Sequence, residues 1–517
     1  MLAYHFIGEE IFCGKPRLKL TECYSNPPRN WACTFFTYGF LMQKPAIASS
    51  TLYVDLDGTY TKSDMLFESL LIAIKSNPLV LLLCCFWLLK GKAYLKYQLS
   101  QRADIDTTLL PLNSEFFAFL VDEKAKNRKI ILATASHEKY AEKIWSQAEI
   151  FDSYICSDMK TNLKGKTKLL RIQSESKNFS YAGNSTEDFV IFDQCEESYL
   201  VNPTKKAKKL AKKSPTSKTF DDSQASKLVW FKQLRVYQWV KNTLIFVPLI
   251  VSGEFLSGNS VVLSMLGFVS FCLLASATYI VNDLLDLESD RSHSKKKNRP
   301  LAAGSISLID GQFVALILFV LAFSIASMLS TLFVFVLFFY LFATLLYSMK
   351  IKQYIGMDVI LLTSLYTTRI IAGAALLNVT ISFWILSFSM FIFLSLAIIK
   401  RCAELKSLQG AIREQISGRD YQEEDYLVLV CIGTSSAMLS ILMFCFYINS
   451  NVLNDQYQQP ILLWLILPAL CYWKMRMWIK THRGEMHDDP IVFAFKDRGS
   501  VITIGFMGLI ALVAQIL

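Results

Sequence analysis

The chain has 517 residues, of which 53% are hydrophobic, 13% aromatic and only 19% charged, and its mean hydropathy is +0.35. That balance excludes a disordered, collagenous or small disulfide-framework protein and is too apolar for a soluble enzyme of this size, so it points to a membrane protein. The net charge of +10 includes a cluster at Lys205, Lys206, Lys208, Lys209, Lys212, Lys213 and Lys218. A basic run ahead of membrane helices faces anionic membrane lipid or solvates a linker, and no nucleic-acid partner is expected. The 12 cysteines are scattered and there are five histidines, which argues against a structural zinc or a disulfide framework.

In chain order, residues 1–50 give neither a clean signal peptide nor a clear fold and stay unassigned. Residues 51–203 read as a soluble α/β domain, with strand-like Thr51–Val54 and Lys129–Ala133 each ending at polar residues. Leu79–Leu89 is intensely apolar but short for a span, with Pro78 before it and Lys90 and Lys92 after it. It predicts a cap helix lying on the membrane face. Residues 204–227 read as a basic linker. Residues 228–517 predict an all-α polytopic bundle of about nine spans, starting near Trp230, Val262, Gly311, Leu332, Met357, Phe383, Tyr426, Ile461 and Val501. The fold class is therefore multi-domain: a soluble α/β half followed by a membrane bundle.

Loop charge sets orientation, because Lys and Arg collect on the cytoplasmic side. Ser252–Asn259, Asn378–Ile381 and Asn449–Pro460 carry neither, whereas Arg291–Arg299, Lys350–Lys352, Lys400–Arg419 and Lys474–Arg498 are rich in both. The alternation predicts that these four loops and the N-terminal half are cytoplasmic.

In the soluble half, Asp55-Leu56-Asp57-Gly58-Thr59 follows a strand. A turn there delivers two carboxylates to a strand's C-terminal end, where ligands bind in open α/β sheets. The chemistry suggested is a nucleophilic Asp55 taking a phosphoryl group, Asp57 as acid/base and Mg²⁺ neutralising charge; alone, an Asp-Gly turn is also an ordinary structural feature. Thr134 ends the second strand, Lys166 and Lys168 precede a helical stretch, and Gly183-Asn184-Ser185-Thr186-Glu187-Asp188 follows Phe179–Ala182. In this order the pieces resemble the haloacid dehalogenase superfamily. The resemblance implies that Thr134 and one of Lys166 or Lys168 hold phosphoryl oxygens. It also implies that Asp55, Asp57, Asn184 and Asp188 surround Mg²⁺, with Asn184 where the family usually has an acid, a departure that leaves two readings, an active phosphatase and a degenerate domain kept for folding or regulation.

In the membrane half, the span from Val262 ends with Asn282, Asp283, Asp286 and Asp290. Spacings of three and four put the three acids on one helix face. Near hydrocarbon that arrangement is costly without a cation, and Mg²⁺ with a diphosphate is the economical occupant. Arg291, His293, Lys295, Lys296, Lys297 and Arg299 follow, then Pro300-Leu301-Ala302-Ala303-Gly304. Together these residues resemble the first motif of the UbiA superfamily of intramembrane prenyltransferases, with Ser294 where the family usually has Pro.

Members that ionise a prenyl diphosphate usually carry a second Asp-x-x-x-Asp on a later loop. Here that loop begins Lys400-Arg401-Cys402-Ala403-Glu404, with Tyr347, Lys350, Lys352 and Asp358 upstream and Arg369 in the next span. This pattern is similar to the polyprenyl-phosphate phosphoribosyltransferase branch. The implied reaction joins phosphoribosyl pyrophosphate to a polyprenyl phosphate in a bacterial inner membrane, with Asn282, Lys296, Arg299, Tyr347, Lys350, Lys352, Arg369, Lys400, Arg401 and Glu404 binding substrate and Asp283, Asp286 and Asp290 holding Mg²⁺. Arg369 is expected near Asp283 or Asp286, or in a structural ion pair. Asp420 and Glu424 form an alternative second acidic motif, which would favour prenyl transfer from a prenyl diphosphate to an aromatic or similar acceptor. A non-enzymatic scaffold or transporter is the third reading, without the broken helices or repeated halves it usually has.

Overall fold

The computed structural model describes residues 50–159, 161–213, 216–222, 226–408, 420–450, 453, 457–486 and 489–516. Ser50–Leu517 is one compact unit. Its soluble half contains β1 (Thr51–Val54), α1 (Met65–Ser76), α2 (Val80–Leu89), α3 (Lys92–Ser100), α4 (Ser114–Ala125), β2 (Ile130–His137), α5 (Glu138–Gln147), β3 (Ser153–Ser157), α6 (Lys166–Glu175), β4 (Phe179–Gly183), α7 (Phe189–Phe192), β5 (Ser198–Val201), α8 (Lys205–Ala211) and β6 (Lys218–Phe220).

The six strands pair in parallel in the order β3-β2-β1-β4-β5-β6. Side chains alternate across β1: Leu52 and Val54 enter one core with Ile130 and Leu132, and Tyr53 enters the other with Ile131 and Tyr181. Chain order reverses direction at β1, which lies between β2 and β4, and the crevice beyond the strands' carboxyl ends there is the natural ligand site. β6 lies inside the stretch predicted as linker. It pairs with β5, and Phe220 is fully buried in the core, so the lysine-rich segment completes the sheet rather than merely joining halves.

The membrane half contains α9 (Lys227–Gln233), a 3₁₀ stretch Val236–Phe246 continued by α10 (Val247–Val251), α11 (Gly258–Leu285), α12 (Leu287–Ser292), α13 (Leu308–Leu329), α14 (Thr331–Met349), α15 (Met357–Leu377), α16 (Phe383–Leu408), α17 (Asp425–Ile448), α18 (Ile466–His482), α19 (Pro490–Lys496) and α20 (Arg498–Ile516). Among the described residues, eight helices are long and apolar enough to cross a membrane.

The ninth expected span, near Trp230, differs. Arg235 takes a left-handed conformation that ends α9, and Pro248, without an N–H, sits in the first turn of α10. The 3₁₀ geometry lengthens the stretch from Val236 to the end of α10: at about 2.0 Å per 3₁₀ residue and 1.5 Å per α residue it reaches roughly 30 Å.

The halves share a hydrophobic cluster in which Leu71 of α1 packs with Ile280, Leu284, Leu287 and Leu301. Gly304, at φ +67°, closes the loop after α12 against Lys62 and Pro111 of the soluble half, where a Cβ would collide with the Lys62 side chain.

Candidate active sites

Asp55 leaves β1 at the crevice, where its Oδ1 accepts from Lys168 Nζ at 2.8 Å. Lys168, one turn into α6, is 2% exposed and also donates to Tyr181 OH at 3.0 Å, whereas Lys166 is exposed. The two lysines left open by sequence separate here: Lys168 reaches the carboxylate and Lys166 does not.

Asp57 accepts from Met65 N at 2.9 Å and from Ser136 Oγ at 2.7 Å. Between the two acids and α1, Gly58 turns at φ +75° directly under the Asn184 side chain, and a Cβ there would overlap the amide. Asp64 then caps α1 by accepting from Leu66 N and Phe67 N. Thr134 is fully buried and its Oγ1 accepts from Ser136 N, so it shapes the turn that brings Ser136 to Asp57. Asp188 accepts from Tyr181 OH, Asn184 N, and both the N–H and the hydroxyl of Ser185.

Burial is the largest cause lifting the carboxyls of Asp55 and Asp57. Repulsion from Asp188 and Asp57 adds to it at Asp55 against the pull of Lys168, and repulsion from Asp64 adds to it at Asp57, which is raised to about 6. The cap contributes a residue that sequence reasoning missed. Lys96 of α3 donates to Ala135 O at 2.6 Å and feels Asp57, Asp64 and Asp55, while burial pulls its ammonium below the usual range. Its only sequence signal was a lysine at the far end of the apolar cap.

At the end of α11 the three acids do not share one helix face. The helix stops at Leu285, Asp286 is its C-cap and α12 starts a new axis. Asp283 Oδ1 accepts from Arg235 at 2.5 Å and from Arg299 Nη1 at 3.1 Å, and the same Nη1 donates to Asp290 at 2.6 Å. Asp283 Oδ2 accepts from Gln233 Nε2 at 2.9 Å, leaving Gln233 Oε1 buried without a partner. Asp286 is drawn elsewhere, to Lys352 at 2.6 Å and to Lys75 of α1 at 3.5 Å. The expected trio is therefore a pair plus a lysine-held third. Asn282 contributes its carbonyl to the helix end, accepting from Asp286 N, and Lys296 is half-buried in the following loop.

Deeper in the bundle, Asp489 caps α19 and accepts from Lys241 at 2.7 Å, Lys400 at 3.3 Å and Tyr366 OH at 3.1 Å. Asp489 and Lys241 were missed. The signal for the first was an Asp before Pro490 at a helix start, and for the second a lone lysine in an apolar run.

Several expected substrate ligands sit otherwise. Arg369 does not approach Asp283 or Asp286: it is 4% exposed, donates to Asn242 at 2.9 Å and to Leu365 O, and lies over the rings of Phe271, Tyr340 and Tyr366. Arg401 is fully buried, paired with Asp358 at 2.6 Å and with Glu404, and donates to Tyr347 OH at 3.2 Å. Those four residues lock α14, α15 and α16 together rather than line an open site. Lys350 is exposed. Asp420 and Glu424 are exposed, Tyr421 OH donates to Asp358, and Gly418 and Arg419 lie outside the described residues.

Residues 243–496 match the model of the UbiA prenyltransferase family. The chain is also 34% identical over 87% of its length to an uncharacterized protein of Sinorhizobium fredii, 88% of which is covered. The chain belongs to the UbiA prenyltransferase family. It is 37% identical, over 36% of its length, to 64% of a decaprenyl-phosphate phosphoribosyltransferase of Mycobacterium tuberculosis. Among solved structures, a UbiA homolog from Archaeoglobus fulgidus bound to GPP and Mg²⁺ aligns over 55% of this chain and 99% of its own, at 16% identity and a TM-score of 0.43. The soluble half resembles haloacid dehalogenase-family hydrolases, one of which, from Salmonella enterica, aligns over 32% of this chain and 66% of its own at 11% identity and a TM-score of 0.24. The protein is thus a multi-pass UbiA-family transferase whose N-terminal half is a six-stranded parallel α/β domain.

Among the described residues, no three His, Cys, Asp or Glu side chains are arranged to hold an ion by themselves. Mg²⁺ commonly binds one or two carboxylates, substrate phosphates and water rather than an all-protein cage. The UbiA half fits that pattern. Asp283 and Asp290 converge on one cationic group, and Gln233 Oε1 supplies an uncommitted buried oxygen beside them. In the soluble half the fit rests on the half-buried Asp55 and the buried Asp188, two carboxylates close enough to repel, with the neutral Asn184 amide alongside Gly58.

Proposed function

We propose that the membrane half transfers phosphoribose from phosphoribosyl pyrophosphate to a polyprenyl phosphate, and that the soluble half removes the remaining phosphate monoester from the lipid-linked product. The observation that carries the first step is Asp489 clamped between Lys241 and Lys400. It gives a second cationic cradle apart from the Asp283–Arg299–Asp290 cluster, and its Lys400 opens the loop on which prenyl-ionising members are expected to carry a second acidic pair. Two phosphate-bearing substrates need two such cradles, and preorganised cations act strongly in a low-dielectric cavity. The partial similarity to a decaprenyl-phosphate phosphoribosyltransferase supports the same choice.

Asp283, Asp290 and Gln233 would hold Mg²⁺, which neutralises the diphosphate leaving group. Arg299 and Arg235, now paired with Asp283, are placed to bind phosphate oxygens of the substrate. An oxygen of the lipid phosphate attacks the anomeric carbon, the bond from that carbon to the diphosphate oxygen breaks, and pyrophosphate departs. In the soluble half, Asp55 attacks the monoester phosphorus and Asp57 gives its proton to the departing alkoxide. Water then cleaves the aspartyl phosphate and Asp57 recovers a proton. Mg²⁺ would be held there by Asp55, Asn184 and Asp188. The charged loops and the soluble half are read as cytoplasmic, in a bacterial inner membrane.

Prenyl transfer is the second reading, favoured by the family as a whole and by the prenyl diphosphate in the A. fulgidus homolog. Mg²⁺-dependent binding to detergent-purified protein separates the two. Asp283→Ala should abolish binding of either ligand, whereas Lys400→Met should weaken phosphoribosyl pyrophosphate about 10-fold or more and a prenyl diphosphate far less. Equal losses would favour prenyl transfer.

A further inference from the structure

The cap hairpin carries an unpartnered apolar surface. Val80–Leu89 contains no polar charge of any sign, and only Val80 and Trp87 are buried, packing with Ala73 and Leu99. Around the rest of the helix Leu79, Leu81, Leu82, Leu83, Phe86, Leu88 and Leu89 are between 40% and 86% exposed. A contiguous apolar face of this size on a soluble half is costly in water and marks a contact surface.

What covers it follows from where it starts. Lys75, in the last turn of α1, pairs with Asp286, the C-cap of membrane span α11, and Leu71 packs on Ile280 and Leu284 of that span. Four residues separate Lys75 from α2, so at about 3.5 Å per residue α2 begins within roughly 18 Å of Lys75 itself. Exposed Lys90 and Lys92 follow the apolar stretch, and a cation-flanked apolar helix at that level suits the boundary between acyl chains and anionic headgroups.

We infer that α2 is embedded in the bilayer surface and that the soluble site therefore takes a phosphate monoester borne by a membrane lipid. The docking stands on the geometry of α2 alone; the substrate class rests on the phosphatase reading given above. Lys96 joins the two. It lies on α3, the second arm of the hairpin, and reaches the Asp57 side of the crevice. Gly91, at φ +108°, makes the turn between the arms, and Val80 and Trp87 of α2 share a buried cluster with Leu99 of α3, so the arms move together. Lipid contact on one arm thereby orients the lysine on the other over the phosphate crevice.

The test uses the full-length chain in lipid nanodiscs, with single spin labels at Leu82, Cys85, Phe86 and Leu89 in a background where the other cysteines are replaced. Labels on α2 should collide with dissolved oxygen more than with a water-soluble nickel chelate, the reverse of a control label at Glu115. Nickel access equal to that control, or shielding from both probes, would overturn docking; the second pattern would mean that protein, either residues 1–49 or another copy, covers the helix.

A Leu81→Gln/Leu82→Gln/Phe86→Gln variant addresses the substrate. It should hydrolyse p-nitrophenyl phosphate at the parent rate while losing about tenfold or more on a polyprenyl-linked ribose 5-phosphate. Equal rates on both would overturn the lipid-borne substrate. A parent chain inert toward p-nitrophenyl phosphate and the lipid alike would sink the phosphatase reading and the substrate class with it, and leave the spin-label result to decide docking.

Discussion

Glu68 of the soluble half and Arg291 of the membrane half form an ion pair at 2.6 Å, with side chains only 5% and 6% exposed. Ser63, whose carbonyl accepts from Gly58 N in the Asp55–Gly58 turn, donates its hydroxyl to the same carboxylate. Arg291, next to Asp290, also donates to Ala302 O. One buried pair thus bears on the backbone of both sites. Removing one partner leaves the other buried and uncompensated, at a cost of about 3–5 kcal/mol. Arg291→Met is expected to lower the unfolding midpoint of the full chain and both activities together. Glu68→Leu/Arg291→Met should recover most of the midpoint. The check is thermal unfolding in detergent, and a single variant with the parent's midpoint would show the pair to be inconsequential.

Lys168→Met should reduce phosphate release from p-nitrophenyl phosphate about 100-fold or more, because it removes the ammonium facing Asp55. Lys166→Met, at an exposed position, should stay within about twofold. Comparable losses for both would contradict the assignment.

The pH dependence has a definite sign. Asp57 is raised in the folded chain from 3.8 to about 6, so between those values the folded state binds more protons than the unfolded one. Stability therefore falls as pH rises from about 4 to 6 and stays lower above it. Asp57→Asn removes this titration and is expected to stabilise the chain at pH ~7.5 by on the order of 1–3 kcal/mol, with no comparable gain near pH ~4, while abolishing turnover. Unfolding midpoints at the two pH values measure the difference.

The sheet's start, the Asp55–Gly58 turn and the long apolar spans were legible because each is local: a strand pattern, a turn signature, an uninterrupted hydrophobic run. The cradle was not. Lys241 and Asp489 meet across 248 positions and Glu68 and Arg291 across 223, and no periodicity encodes such pairings. The helix break at Asp286 also escaped, because spacings of three and four assume a continuous axis. Arg401 drew attention as a cation in a charged loop, yet its partner Asp358 lies one helix earlier and turns it into a packing element. The lysines of 205–218 hid a strand because β6 holds just three residues and only Phe220 points inward.

Turnover with radiolabelled phosphoribosyl pyrophosphate and a polyprenyl phosphate, with products separated by thin-layer chromatography, is the most direct measurement. Label should pass to the lipid in the parent, and Asp489→Asn and Lys241→Met should each lose about 100-fold with the fold intact. No label in the lipid fraction, alongside transfer of a prenyl group from its diphosphate to an aromatic acceptor, would contradict phosphoribosyl transfer.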